Sequence, residues 1–112
     1  MEIYLSKLLN KQGFHINSQL VYNRLSFLTT TLADTRANRY LFINIKKAIK
    51  LACFHNISTN LLENIIEIKE FNKAAGPQIT HTIKLHLIIG GQQYLNQPFL
   101  ILNLGQHKVI IG

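Results

Sequence analysis

NRYLFINIKKAIKLACFHN, residues 38–56, holds four cationic side chains (Arg39, Lys46, Lys47 and Lys50) and no acid. Within it Leu41, Ile45, Ile49 and Ala52 stand at i, i+4, i+8 and i+11, the spacing of one face of an α-helix. Phe42 and Cys53 widen the apolar stripe, and Asp34 or Thr35 upstream offers a cap oxygen for the first free N–H groups. Arg36, Arg39, Lys46, Lys47 and Lys50 follow three- and four-residue steps on the other side, with Ile43 inside the basic row. The pattern predicts a helix that packs on a core with one face and presents cations with the other. Cations so spaced meet successive phosphates, each contact releasing counterions. Tyr40 and Phe42, beside Arg39, are candidates to stack on an unpaired base, set against a plain core or rim role.

Upstream, Ile3, Leu5, Leu8 and Leu9 predict a helix over 2–12 that Gly13 stops. Val21, Leu25, Leu28 and Leu32 lie at i, i+4, i+7 and i+11, which predicts a short helix in 17–32, capped by Asn17 or Ser18. The β-branched run FLTTTL argues for an irregular tail. Downstream, Ser58, Thr59 and Asn60 offer caps for a helix over 59–73. Its apolar face is Leu61, Leu62, Ile65 and Ile66, and its polar face holds Glu63, Glu67 and Glu70 with Lys69 and Lys73. Gly76-Pro77 ends it.

The period then changes. QITHTIKLHLII alternates from Gln78 to Ile89, the mark of a half-buried strand, and Gly90-Gly91 turns it. PFLILNL and HKVII read as two further strands joined as a hairpin around Gly105. The predicted fold class is α+β: N-terminal helices, then a small C-terminal antiparallel β-sheet of about three strands. It is expected as a single domain over 1–112, with a helical basic part (1–75) and a β part (76–112).

Composition sharpens the functional reading. Twelve Lys and Arg face five Asp and Glu, a formal charge of +7 in 112 residues. Such a balance suits a nucleic acid or another polyanion. Ile, Leu, Asn and Lys make up about half the chain, a bias that AT-rich coding produces. One cysteine, Cys53, excludes an intrachain disulfide and a Cys-rich zinc ribbon. No stretch reaches the roughly 18 apolar residues of a membrane helix, so no membrane partner is expected.

Catalysis needs converging acids, bases or nucleophiles. No acid lies beyond Glu70, and His15, His55, His81, His86 and His107 are scattered. His81 and His86 have opposite parity on one strand, and Cys53 and His55, two apart on a helix, face different ways. A metal site of Cys53, His55 and a sheet histidine is set against a buried thiol and a helix-end histidine; the latter is the expected reading, with no metal, no cofactor and no small-molecule substrate. No phosphate-binding glycine motif occurs. The chain reads as a non-enzyme.

The quoted stretch resembles the signature helix of the bacterial-type ribosomal small-subunit protein number eighteen family, of general form Q-R-x-L-x-x-A-I-K-R-A-R. The matching residues are Asn38-Arg39-Tyr40-Leu41, then Ile45-Lys46-Lys47-Ala48, then Leu51-Ala52. LSKLLNKQGFHI, with Gln12-Gly13, is similar to that family's upstream Gln-Gly turn. NSQLVYNRLS departs from it, since Arg24 alone is basic and the expected glycine is missing. The resemblance covers roughly residues 5–56. It implies assembly into a small ribosomal subunit, contact with ribosomal RNA, and small-subunit protein number six among the neighbouring ribosomal proteins. Arg39, Lys46 and Lys47 are RNA-contacting by position in that motif; Arg36 and Lys50 join them on helical phase.

The expectation is therefore a structural, rRNA-binding ribosomal protein of an organellar (mitochondrial) small subunit, a ribonucleoprotein component in translation, located in the mitochondrial matrix or otherwise the cytoplasm. A second expectation is a small winged-helix-like DNA-binding regulatory protein of a phage, virus or endosymbiont. Its recognition helix would be 59–73, where Glu63, Glu67 and Glu70 oppose phosphate. A third is a non-catalytic accessory subunit of another organellar assembly.

Overall fold

A computed structural model of the chain describes residues 3–4, 14–33, 40–69 and 75–111. These form β1 (Ile3–Tyr4), β2 (Phe14–Tyr22), β3 (Leu25–Ala33), β4 (Leu41–Asn44), α1 (Ile45–His55), β5 (Thr59–Lys69), β6 (Ala75–Ile89), β7 (Gln92–Leu102) and β8 (Val109–Ile111). The α+β expectation is thus corrected: the described chain is predominantly β with one short helix. Six strands close into a barrel in the order β6-β2-β3-β8-β4-β7, with β7 returning to β6, while β5 and β1 continue outward from β6.

Residues 17–32 are a hairpin and not a helix. β2 and β3 pair antiparallel from Phe14↔Ala33 to Tyr22↔Leu25, and Asn23 takes a left-handed φ of 54° in the two-residue loop. Asn tolerates that conformation better than most residues. The helical spacing of Val21, Leu25, Leu28 and Leu32 is coincidental: Leu28 is 79% exposed while Leu32 is buried. The β-branched threonines decide the outcome. Thr29 and Thr31 are buried beside Ser18, whose hydroxyl shares a 2.6 Å hydrogen bond with that of Thr31.

Residues 41–44 are also a strand. β4 runs parallel to β7 (Phe42↔Leu100, Ile43↔Ile101) and antiparallel to β8 (Phe42↔Ile110, Ile43↔Val109). The strand's two faces serve two cores. Ile43 joins Leu20, Ile83, Leu85, Leu87, Phe99 and Val109, and Phe27 packs against this set, so all six barrel strands feed it. Residues supplied by every strand of a closed barrel line its interior. Phe42 instead joins Leu32, Leu100 and Ile110 with Ile68 of β5 and Ile79 of β6, the outer face covered by the extra strand. Strands buried on both faces carry continuous apolar runs without alternation. LFI (41–43) and FLIL (99–102) show this.

The helix expected over 59–73 is β5 through Lys69, and residues 70–74 lie outside the described set. Leu61 pairs with His81 and Ile66 with Ile79, so residues 62–65 stand against Thr80 alone in a wide irregularity. That insertion is why the apolar residues of 61–68 mimic helical spacing while Ile68 alone among them is buried. The recognition helix that the winged-helix expectation placed over 59–73 is therefore a strand through Lys69. Of the helix expected over 2–12, Ile3–Tyr4 is a strand parallel to β5 and residues 5–12 lie outside the described set.

In the last third, β6 forms where the alternation lies, and Gly90-Gly91 closes the β6–β7 hairpin with both φ positive (58° and 76°). A type I′ turn requires that at both central positions, and only glycine adopts it freely. The hairpin expected around Gly105 is corrected: β8 inserts between β3 and β4 and does not pair with β7. The turn at Gly105 instead delivers the chain to the start of α1.

Candidate polyanion-binding site

Helix α1 begins where Asn44 ends β4. Asn44 is extended (φ −62°, ψ 135°), and its side-chain Oδ1 accepts a 3.1 Å hydrogen bond from the Lys46 backbone N–H. This is an N-cap, preferred because a short polar side chain satisfies one of the helix's orphan donors. The cap expected at Asp34 or Thr35 lies outside the described residues, and the helix starts at Ile45. Ala48 and Leu51 are the buried face, with Ala, Leu and Lys favouring helix along the segment. At the other end Asn56 is left-handed (φ 55°) and the backbone N–H groups of Asn56 and Ile57 reach back to the Leu51 carbonyl. Buried Leu51 and Ile57 complete this Schellman-type stop. His55 meets Phe27 of β3 in a tilted contact, ring centroids 4.7 Å apart and planes 58° to each other, tying the helix end to that strand.

The expected apolar stripe is rotated from the real one. Ile45 and Ile49 are 40% and 53% exposed, and Cys53 is exposed, so the expected buried thiol is corrected. With Ala52, Ile101 and His81 these residues line an open groove of about 360 Å³ between α1 and the sheet. Phe42, 1% exposed, is not a stacking candidate, and Tyr40 is half-buried against the outer core.

Asn44 does more than cap. Its Nδ2 donates to the Gly105 carbonyl at 3.0 Å and the His107 carbonyl at 2.9 Å, and its backbone N–H donates to the Lys108 carbonyl at 2.8 Å. The turn of residues 103–108 is also held from within. The Gly105 N–H donates to Asn103 Oδ1 at 3.0 Å, the His107 N–H donates to the Leu104 carbonyl at 3.1 Å, and Leu104 is fully buried. One buried asparagine thus ties the start of the basic helix to a turn 60 residues on, carrying His107 and Lys108.

The result is a shallow depression of about 270 Å³ lined by Asn44, Lys46, Lys47, Lys50, Gly105, Gln106, His107 and Lys108. Among the described residues its lining contains no acid. Helix α1 has no acid in its first turn either, so none of its own residues offsets the positive end of its dipole. A neighbouring hollow shares Gln106, His107 and Lys108 and adds His15, whose ring stacks on His107 at 5.8 Å. Among the described residues the acids are Glu63 and Glu67, both on β5.

Of the five sequence-predicted residues, Lys46, Lys47 and Lys50 converge here, and Arg36 and Arg39 lie outside the described residues. Lys108, His107 and the organising Asn44 went unforeseen. The signal for Asn44 is present in the sequence, an asparagine directly before Ile45-Lys46-Lys47. Lys108 has no sequence signal, because its place depends on closure of the barrel. The arrangement can hold a multivalent anion; it presents no nucleophile paired with a base. Among the described residues no three His, Cys, Asp or Glu side chains gather into a metal site, and no helix is long and apolar enough to cross a membrane.

Crowding leaves a mark on Lys47. Burial lowers its pKa below the ordinary 10.5, and the charges of Lys108 and Lys50 lower it further. Between the lowered folded value and the unfolded 10.5, the folded state binds fewer protons, so stability rises with pH across that window. Protonated Lys47 therefore costs the free protein stability at neutral pH, and the cost fades as pH climbs. Lys47→Met is expected to raise the thermal midpoint at pH 7 in low salt and to flatten its rise as pH climbs toward 10.5. A variant with a lower midpoint at pH 7 and an unchanged pH profile contradicts this.

Comparison with known proteins finds no matching family model, no matching curated protein and no matching solved structure.

Proposed function

We propose that this chain is a non-catalytic RNA-binding protein that neutralises RNA phosphates with the cationic depression at the start of α1. The observation that carries the reading is the convergence of Lys46, Lys47, Lys50 and Lys108 on one hollow with no acid among its described lining residues, at the cost to Lys47 already described. Mutually repelling cations held by a buried asparagine are poorly explained as surface solvation; an anionic ligand removes the repulsion. An extended polyanion fits better than a small anion, because the depression is open and continues past His107 toward His15.

The finer reading is a structural protein of an organellar small ribosomal subunit, in the mitochondrial matrix. It rests on the resemblance within Asn38–Ala52 and on the AT-biased composition. Ribosomal RNA is then the ligand. Neighbouring ribosomal proteins, small-subunit protein number six among them, have the exposed Leu61 and Ile65 of the β5 irregularity to contact. Sedimentation of the native protein from organelle extract tests this. Co-migration with the small subunit, lost on ribonuclease treatment, is the expected result. Migration with a different large assembly, insensitive to ribonuclease, overturns the ribosomal reading and favours an accessory subunit of that assembly.

A further inference from the structure

Phe54 is 80% exposed, on a helix whose buried face is Ala48 and Leu51. A single exposed apolar side chain is ordinary on a protein surface; what marks Phe54 is its azimuth. At about 100° per residue, Phe54 lies about 40° from Lys50 and about 20° from Lys47 around the helix axis. It lies about 140° from Ile49 and about 180° from Ile45, so it does not belong to the apolar groove those residues line. Lys50 is four residues before it, the i,i+4 neighbour on the same face. The ring therefore stands roughly 6 Å along the axis beyond Lys50, in line with the cationic row.

We propose that Phe54 is a stacking platform for an unpaired base, so that the cationic depression takes single-stranded RNA and discriminates against a continuous duplex. This rests on the polyanion reading above and names its substrate class. The lysines hold the backbone, and the ring takes a base that has left the stack. A base within a duplex has both faces covered by its neighbours and offers none to a side chain. Base stacking on aromatic side chains tolerates sequence, so no strong base preference is expected. The barrel contributes rigidity: α1 is capped at both ends and held by Asn44 at its start and by His55 on Phe27 at its finish.

The test uses the full chain with a mixed-sequence RNA 12-mer, single-stranded or annealed to its complement. Phe54→Ala is expected to weaken the single strand roughly ten- to hundred-fold, the worth of one stacked base, with little change for the duplex. The exposure of Phe54 means the variant keeps its fold, which an unchanged thermal midpoint verifies. The chain has no tryptophan, so Phe54→Trp installs a single tryptophan, excited apart from the four tyrosines. Its binding should match that of the native protein or exceed it, with emission quenched by the single strand.

Equal losses on single strand and duplex overturn the proposal, as does an unquenched Trp. If Phe54→Ala spares RNA binding but abolishes concentration-dependent self-association, the ring contacts protein and the proposal falls. Loss of binding on removing the lysines, with Phe54→Ala silent, retires the stacking claim alone. Silence of the lysines retires the polyanion reading itself.

Discussion

Asn44→Ala is expected to destabilise the protein by roughly 2–4 kcal/mol and to weaken anion binding at the same time. The cap bond to the Lys46 N–H accounts for about 1 kcal/mol. The Gly105 and His107 carbonyls then lose their donors in a part-buried setting, at about 1 kcal/mol or more each. Urea denaturation measures the sum. Asn44→Asp separates the two roles, since a carboxylate keeps the cap acceptor but loses both donors. It should retain helix content while freeing the turn that carries Lys108. A loss under about 1 kcal/mol for Asn44→Ala would mean that buried Leu104 and the remaining hydrogen bonds of the turn hold it without the Asn44 side chain.

The second large effect concerns binding. Replacing Lys46, Lys47, Lys50 and Lys108 together by Gln should lower affinity for single-stranded RNA on the order of a hundred-fold or more at fixed moderate salt. Singly, Lys108→Gln should behave like the helix lysines although it lies 58 residues beyond Lys50, because the turn brings it to the same hollow. Fold stability should hold or improve, since the substitutions relieve repulsion around Lys47. A stable quadruple variant with native affinity would place the RNA contacts elsewhere.

Why the barrel was hidden in the sequence is a matter of periodicity. Alternation exposed β6, and the glycine pair exposed its turn to β7. Both signals are local, and the alternation survives because β6 buries Leu85, Leu87 and Ile89 on one face while Lys84, His86 and Ile88 stay exposed or half-buried on the other. β4 gives no such signal. Leu41, Phe42 and Ile43 serve two cores at once, so the strand shows no alternation and merges with the helix behind it into one apparent stripe. A short apolar run cannot be assigned to strand or helix by period alone. The stripe Leu41–Ile45–Ile49 spans the junction, and two of its members are exposed.

β5 misleads differently. Its inserted residues 62–65 break the two-residue period and leave spacings of three and four. β2 and β3 carry the correct signal in Thr29, Thr30 and Thr31, outvoted by a chance spacing of leucines. For the site, charge was the legible part, because Lys46, Lys47 and Lys50 are close in sequence. The distant half, Asn103–Lys108, is brought in by β8 crossing between β3 and β4, a topology that no local pattern encodes.

The most direct measurement is the salt dependence of RNA binding, compared between the native chain and the quadruple lysine variant. Log affinity is followed against log salt for a single-stranded oligonucleotide. If four lysines each meet a phosphate, the expected result is a slope shallower by about 3 in the variant, at roughly 0.7 per contact. Parallel lines for the two proteins, whatever their absolute affinities, would contradict the assignment of the cationic depression as the RNA-binding site.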